Sequence, residues 1–514
     1  MELFFVCLCL AGVIGLYFYN NPLHHGGAFM WRRFINWFPL GMTYAFLYMG
    51  RYNLQVSKNA LGTLMTKEDF GIIFAAGTAT YALSFLINGP LVDKIGGKRG
   101  IIIAAVGSSF SNILMGVLTY LVVIGKLKMN LVLAYSIAYA MNMYFQSYGA
   151  VSIIKVKAYW FHVRERGVFG AIFGTLISFG VYFAFDWGRA IVEMTKAGTS
   201  GQAGWMHGLL QKLFAVNSHP VDATWAVFFI PAVIMLFWAV MDWWLIKDTP
   251  EEAGFPHLDT ADASSGQMHI NLSTMDLLKK VFMSKIMLLV AMVELTSGVM
   301  RNGILQWFTI FTHEVNQPGA EYFHNNWGFL LCVFGIAGGF TGGLMSDKLF
   351  QSRRGPPAAL LCGCMFLLTT TMALYLFHSP VVVALAALFI SAAVIGVHSL
   401  MSGTAAADFG GRKATATCSG IVDGFVYLGS SIQSLGIGFL TPKDHAAVAG
   451  EQTATMFFSF SELAGRSWYW WPVFLMPFAL IGMILAWILW HELPAATKKY
   501  IARVEKAASG PATI

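Results

Sequence analysis

Arg51, in YAFLYMGRYNL (44–54), and Arg301, in SGVMRNGILQWF (297–308), each interrupt a run of apolar and aromatic residues long enough to be buried in lipid. A guanidinium keeps its charge in a protein. At the centre of a membrane helix it costs about 2.5–3.5 kcal/mol on insertion scales, so two cost about 5–7 if additive. A doubly negative oxyanion, such as a phosphate monoester, would offset both through bidentate charge-assisted bonds suited to arginine's planar fork. The alternative is neutralisation within the chain. Glu294 lies two helical turns before Arg301, about 10 Å along the axis and too far for direct pairing without bending. Asp423, in SGIVDGFVYLG (419–429), is a further acid in an apolar run. Glu294 and Asp423 are therefore candidate titratable groups for proton coupling.

The elements that must carry these residues are membrane helices. The chain is 57% apolar and 11% charged over 514 residues, and apolar runs of about 20 residues recur throughout it. Backbone polar groups in lipid must be satisfied within each segment, which makes the chain an all-α polytopic membrane protein. Spans are expected near 37–57, 69–91, 100–125, 130–153, 167–190 and 223–246, then near 286–312, 326–346, 357–377, 379–404, 415–440 and 468–492. The stretch KDTPEEAGFPHLDTADASSGQ between these sets has linker composition. The expected organisation is an N-terminal hydrophobic segment (1–30), a six-helix bundle (31–246), a linker (247–285), a second bundle (286–493) and a tail (494–514).

Most of the 33 Lys and Arg residues fall on the side that holds Arg32 and Arg33, the linker and the tail. By charge bias that side is cytoplasmic, which places the chain in the cell (inner) membrane as a multi-pass protein with linker and C-terminus inside. The net charge of +7 is accounted for by topology and anionic lipid, so no nucleic-acid partner is implied. MELFFVCLCLAGVIGLYFYN lacks a basic leader, and it is expected to remain as an extra helix starting outside. The six cysteines have neither zinc-type nor paired spacing. With no nucleotide-cradling loop, nucleophile constellation or metal cluster, neither an enzyme nor a cofactor is expected.

One sequence device repeats. GPLVDKIGGKR (89–99) and GGLMSDKLFQSRR (342–354) each join a glycine-containing helix end to an acid and then to basic residues. They mark Asp93, Arg99, Asp347 and Arg354 as gating-loop candidates, the acid meeting a helix N-terminus or a neighbouring cation in one conformation. Arg51 precedes Asp93 by 42 residues and Arg301 precedes Asp347 by 46, near-symmetric positions. A loop repeated six spans apart points to the major facilitator architecture, in which two six-helix bundles rock about a midplane site.

From about 31 to 495 the chain resembles the organophosphate:phosphate antiporters of the major facilitator superfamily. The resemblance rests on WRRF (31–34), Tyr44-x3-Tyr48-x2-Arg51-x-Asn53, Asn142-x2-Phe145-Gln146-x2-Gly149, Lys155, Trp160 and Glu165-Arg166-Gly167. It continues through Arg301-x-Gly303-x3-Trp307, MSDK (345–348), Gly396-x-His398 and Tyr427-Leu428-Gly429. It implies a transporter, acting as a monomer, that exchanges a phosphorylated metabolite for inorganic phosphate. Arg51 and Arg301 would bind the phosphoryl group, and Tyr44, Tyr48, Tyr81 and Tyr427 would line the pathway. A proton-coupled symporter and a non-transporting sensor of the same family are the alternatives. The chain departs from the family at Phe85, where a lysine is usual, near Ile177, where a histidine is frequent, and at YGAVS (148–152). Weaker binding, or a bulkier or less charged substrate, is the expected consequence. His398 reads as an ordinary helix-end residue, Lys155 and Lys157 as topology charges, and WYWWPVF (468–474) and MDWWLIK (241–247) as interfacial belts.

Overall fold

The computed structural model describes residues 2–162, 165–196, 206–214, 224–258, 260, 279, 282–350, 353–402, 406–443 and 465–492. The tail and most of the linker lie outside the described residues. Among the described residues every regular element is helical. α1 is Glu2–Tyr19, α2 Gly27–Leu61, α3 Lys67–Ile95, α4 Gly97–Val123, α5 Leu131–Trp160, α6 Arg166–Tyr182, α7 Gly188–Thr195, α8 His207–Leu213 and α9 Ala226–Leu245. After the linker come α10 Lys285–Val315, α11 Glu321–Asn325, α12 Trp327–Leu344, α13 Gly355–Tyr375, α14 Pro380–Leu400, α15 Ala406–Leu440 and α16 Trp470–Ile488.

The twelve expected spans correspond one to one with α2, α3, α4, α5, α6 with α7, α9, α10, α12, α13, α14, α15 and α16. Eight of these helices are individually long and apolar enough to cross a membrane. The fifth span runs past its expected end and is interrupted by a π-helical turn at Phe183–Trp187. Helix starts follow local chemistry. Thr66 and Asp69 form a reciprocal capping box at α3, Asn130 caps α5, and Ser379 followed by Pro380 opens α14.

The helices pack as two sets. In the first, α3 and α4 lie against α5, while α2 lies against α6 and α9. In the second, α10 lies against α15 and α16, and α12 and α13 lie against α14. The sets meet along α3 with α15 and along α6 with α12. Bare backbone allows the closest approaches: a β-carbon at Gly71 would stand 2.6 Å from the Ser434 carbonyl oxygen across the seam. Gly96, at φ +90°, makes the α3–α4 turn. A β-carbon there would lie 2.2 Å from Asp248 Oδ2, and the same carboxylate accepts from the Lys98 amide at 2.8 Å.

The end of the molecule remote from the linker is sealed between the sets. Gln55 donates to the carbonyls of Leu305 and Gln306 at 3.0 and 3.1 Å, Lys67 pairs with Glu314 at 2.5 Å, and Arg466 pairs with Glu68. Asp186 caps the amides of Gly328 and Phe329. At the linker end, the ion pair between Lys155 and Asp93, at 2.9 Å, joins two helices of one set, so this lysine does more than set topology.

Arg33, read from the sequence as an inner-side charge, is buried. It grips Glu165 through both carboxylate oxygens at 2.9 and 3.0 Å, which links the WRRF and Glu-Arg-Gly motifs. Tyr17 at the end of α1 accepts from Arg33 Nε at 3.0 Å and thereby docks α1. Burial raises the Glu165 pKa, but the hydrogen bonds and charge of Arg33 outweigh it and hold the carboxyl below its usual value. A depressed folded-state pKa contributes stability that is present above the unfolded value of about 4.3 and is lost as pH falls through the folded value. Glu165→Gln should cost about 3–5 kcal/mol at neutral pH, as for other broken buried pairs. It should also flatten the acid limb of a melting-temperature profile in detergent, and an unchanged acid limb would show that the pair is not the source.

Candidate functional site

The first half of the site is built where α5 clamps α2. Residues 139, 142 and 146 share one face of α5. Gln146 Nε2 donates to the Leu47 carbonyl at 3.0 Å, Asn142 to that of Gly50 at 2.8 Å, and the Tyr139 hydroxyl to that of Arg51 at 3.0 Å. Asn112 on α4 reaches the Gly50 carbonyl and Asn142, and it accepts from Asn53. With its backbone so held, Arg51 is fully buried and places its fork by three donations: Nε to Gln146 Oε1 at 2.9 Å, Nη2 to the Tyr81 hydroxyl at 3.1 Å, and Nη1 to the Tyr427 hydroxyl. The rings of Tyr48 and Tyr81 face the guanidinium at 4.7 and 4.8 Å, favourable cation–π geometry.

The second half comes from α10. Trp471 on α16 donates to the Gly303 carbonyl at 2.7 Å, and Asn302 donates to Ser430 on α15. These contacts fix the turn that carries Arg301. Its Nη2 donates to the Tyr48 hydroxyl at 3.2 Å. One phenol thus stands between two guanidiniums, meeting Arg51 with its face and Arg301 with its oxygen, while Tyr44 packs edge-on against it at 5.6 Å. Among the described residues no Asp or Glu forms an ion pair with either arginine. The partners are neutral hydroxyl and amide oxygens, which satisfy hydrogen-bonding capacity without cancelling charge. Such an arrangement can bind an oxyanion and exchange hydroxyl contacts for phosphoryl ones.

The structure therefore brings Arg51, Tyr44, Tyr48, Tyr81, Tyr427 and Arg301 together. Glu294 is directed elsewhere: its Oε2 lies 3.0 Å from His398 Nδ1, so the helix-end histidine is the carboxylate's partner. Asp423 accepts from Ser402. Of the gating-loop candidates, Asp93 holds Lys155, Arg99 is exposed and Arg354 half-buried at the start of α13, while the Asp347 side chain lies outside the described residues. The tryptophan reading needs correction. Trp243 and Trp244 are exposed, but Trp468 and Trp471 are wholly buried: the Trp471 indole N–H has the Gly303 carbonyl as a backbone acceptor inside the bundle, and the Trp468 ring packs edge-on against Trp307 and Phe311 of α10. Gln146 carried no role in the sequence reading. The spacing of four between Asn142 and Gln146 was the available signal that both amides face one neighbour. No group of three or more His, Cys, Asp or Glu able to hold a metal occurs among the described residues.

The family described as Major Facilitator Superfamily matches residues 33–434. The chain is 23% identical over 414 residues to the membrane sensor protein UhpC of Salmonella typhimurium, covering 78% of this chain and 84% of that one. It is 23% identical over 373 residues to the glycerol-3-phosphate transporter of Bacillus subtilis, covering 71% and 76%. It is 24% identical over 414 residues to the hexose-6-phosphate:phosphate antiporter of Salmonella typhimurium, covering 77% and 80%. Among solved structures, a bacterial homolog of the human lysosomal transporter Spinster, inward-facing and unoccupied, superimposes with a TM-score of 0.63 at 15% identity over 91% of this chain and 98% of the other.

Proposed function

Because the chain belongs to the Major Facilitator Superfamily, we propose that it is a secondary transporter exchanging a phosphorylated metabolite for inorganic phosphate by alternating access. The observation that carries this reading is the pair of buried guanidiniums, one from each bundle, meeting at Tyr48 with no carboxylate ion-paired to either among the described residues. The names of its relatives support the substrate class. In this reading the linker side faces the cytoplasm, the sealed end faces outward, and residues 31–246 and 286–493 are the two bodies that move. The protein works as a monomer in the cell (inner) membrane.

With the site empty, closing the bundles brings two cations together in a low-dielectric setting, and their repulsion opposes the change. A bound dianion removes that barrier. The loaded form rocks, releases on the other side, and accepts phosphate for the return, so neither direction needs ATP. Asp93 with Lys155, and the corresponding loop around Asp347, act as latches on the linker side.

Vesicles reconstituted with purified protein and loaded with phosphate should take up labelled phosphate by counterflow, and an external phosphate ester should compete. Binding without flux would instead mark a sensor. Uptake driven by a pH gradient and indifferent to trans phosphate would favour proton symport, for which the Glu294–His398 contact is the structural argument.

A further inference from the structure

The second bundle carries a charge set on the linker side of the two arginines that phosphoryl binding does not use. Glu294 lies two turns before Arg301 on α10, and Asp423 one turn before Tyr427 on α15, displacements of about 10 and 6 Å along the helix axes. The end of α14 meets both: His398 stands 3.0 Å from Glu294 Oε2, and Ser402 beyond it donates to Asp423 Oδ1. Glu294 is fully buried, and its second oxygen, Oε1, has no hydrogen-bond partner. Asp423 and His398 are only partly covered. Arg301 lies within electrostatic range of both, and Asp423 within range of Tyr44 across the seam.

The opposing wall is aromatic and uncharged. Phe85, one turn beyond Tyr81, packs edge-on against that ring at 4.7 Å and lies 6.4 Å from the ring of Tyr427. Its ring atoms stand 3.3 Å from the β-carbon position of Gly420, three residues before Asp423. His398 is the hydrogen-bond partner of Glu294, whereas among the described residues Asp423 is hydrogen-bonded only by the neutral Ser402 hydroxyl, with the cations of His398 and Arg301 at longer range. A plain phosphate ester held by the arginines brings two negative charges within about a turn of it. A carboxylate beside aromatic faces is, however, the chemistry that recognises an ammonium group.

We propose that Asp423, with Phe85 and Tyr427, forms a subsite for the ammonium group of a zwitterionic phosphomonoester whose phosphoryl group lies between Arg51 and Arg301. The proposal rests on the phosphate-ester reading of the site and names its substrate class. With the phosphoryl group at the midplane, the organic part points towards the linker side, and the substrate's own cation replaces the one that wall of the protein lacks.

The test uses two probes that differ by a single group, glucosamine 6-phosphate and glucose 6-phosphate, competing for phosphate counterflow in vesicles near neutral pH. The amino ester should half-saturate at a concentration at least about tenfold lower, the size expected for a hydrogen bond to a charged group. Asp423→Asn should bring the ratio towards one. Phe85→Lys, which supplies a fixed ammonium beside Asp423, should reverse the preference. If a variant does not fold, as judged by a missing phosphate-induced thermal shift, the wild-type ratio and the other variant decide. Equal half-saturation in the wild type, or a preference that survives Asp423→Asn, overturns the proposal. So does tighter glucose 6-phosphate binding on acidification without an amine preference, because a proton would then be the compensating charge. If the wild type exchanges no phosphate at all, the transport reading fails, and the same ratio is read from thermal shifts of the purified protein.

Discussion

Replacing Arg51 or Arg301 by lysine is expected to lower phosphate exchange at least about a hundredfold, because each loses roughly 3 kcal/mol of charge-assisted hydrogen bonding to the anion. Lysine retains the charge and much of the length, so the comparison isolates the fork. Arg51 directs Nε to Gln146, Nη1 to Tyr427 and Nη2 to Tyr81 at once. A single ammonium has three donors on one atom and cannot span three partners on three helices while also presenting a planar edge to a phosphoryl group. The loss should be similar at Arg301, whose contact with the Tyr48 hydroxyl joins the two bundles. Insertion and folding, followed by detergent-solubilised yield and size-exclusion profile, should be retained. Full exchange by both lysine variants would remove the arginines from the binding role.

Tethering the sealed end should have an effect of comparable size. Gln55 Nε2 and Thr309 Oγ1 lie 3.5 Å apart across the seam between α2 and α10, at the end where Lys67–Glu314 and Arg466–Glu68 also bridge the bundles. With cysteines at 55 and 309 in a background freed of the native thiols, a short cleavable bis-thiol reagent should cut exchange below about a tenth, and cleavage should restore it. Alternating access requires this end to part once per cycle. A tether there leaves one orientation accessible and permits binding without exchange. Exchange that survives complete bridging would show that the cycle does not open at this end. The two experiments are complementary: the lysine variants test what is held, the tether tests what moves.

Lipid imposes a coarse rule on a chain, that every crossing be a helix of about twenty apolar residues. The recurrent helical crossings and the two charges inside them were therefore legible from residue types alone. Arg51 and Arg301 stood out for the same reason, since fixed charge in an apolar run is costly enough to demand an explanation. Partnership was not legible, because it depends on how helices far apart in the chain are rotated against one another. The sequence places Glu294 two turns from Arg301, too far for direct pairing without bending, but does not name its partner, and rotation of α10 against α14 gives it to His398, more than a hundred residues away. Arg33 and Lys155 read as inner-side charges that set topology, yet packing at the linker end turns them onto Glu165 and Asp93. Trp468 and Trp471 read as interfacial, yet the depth of α16 beside α10 buries them. Composition determines which segments enter the membrane because transfer to lipid is close to a sum over residues. The direction in which each buried polar group points is decided only by the assembled bundle, because hydrogen bonding is directional and its partners are supplied by the fold.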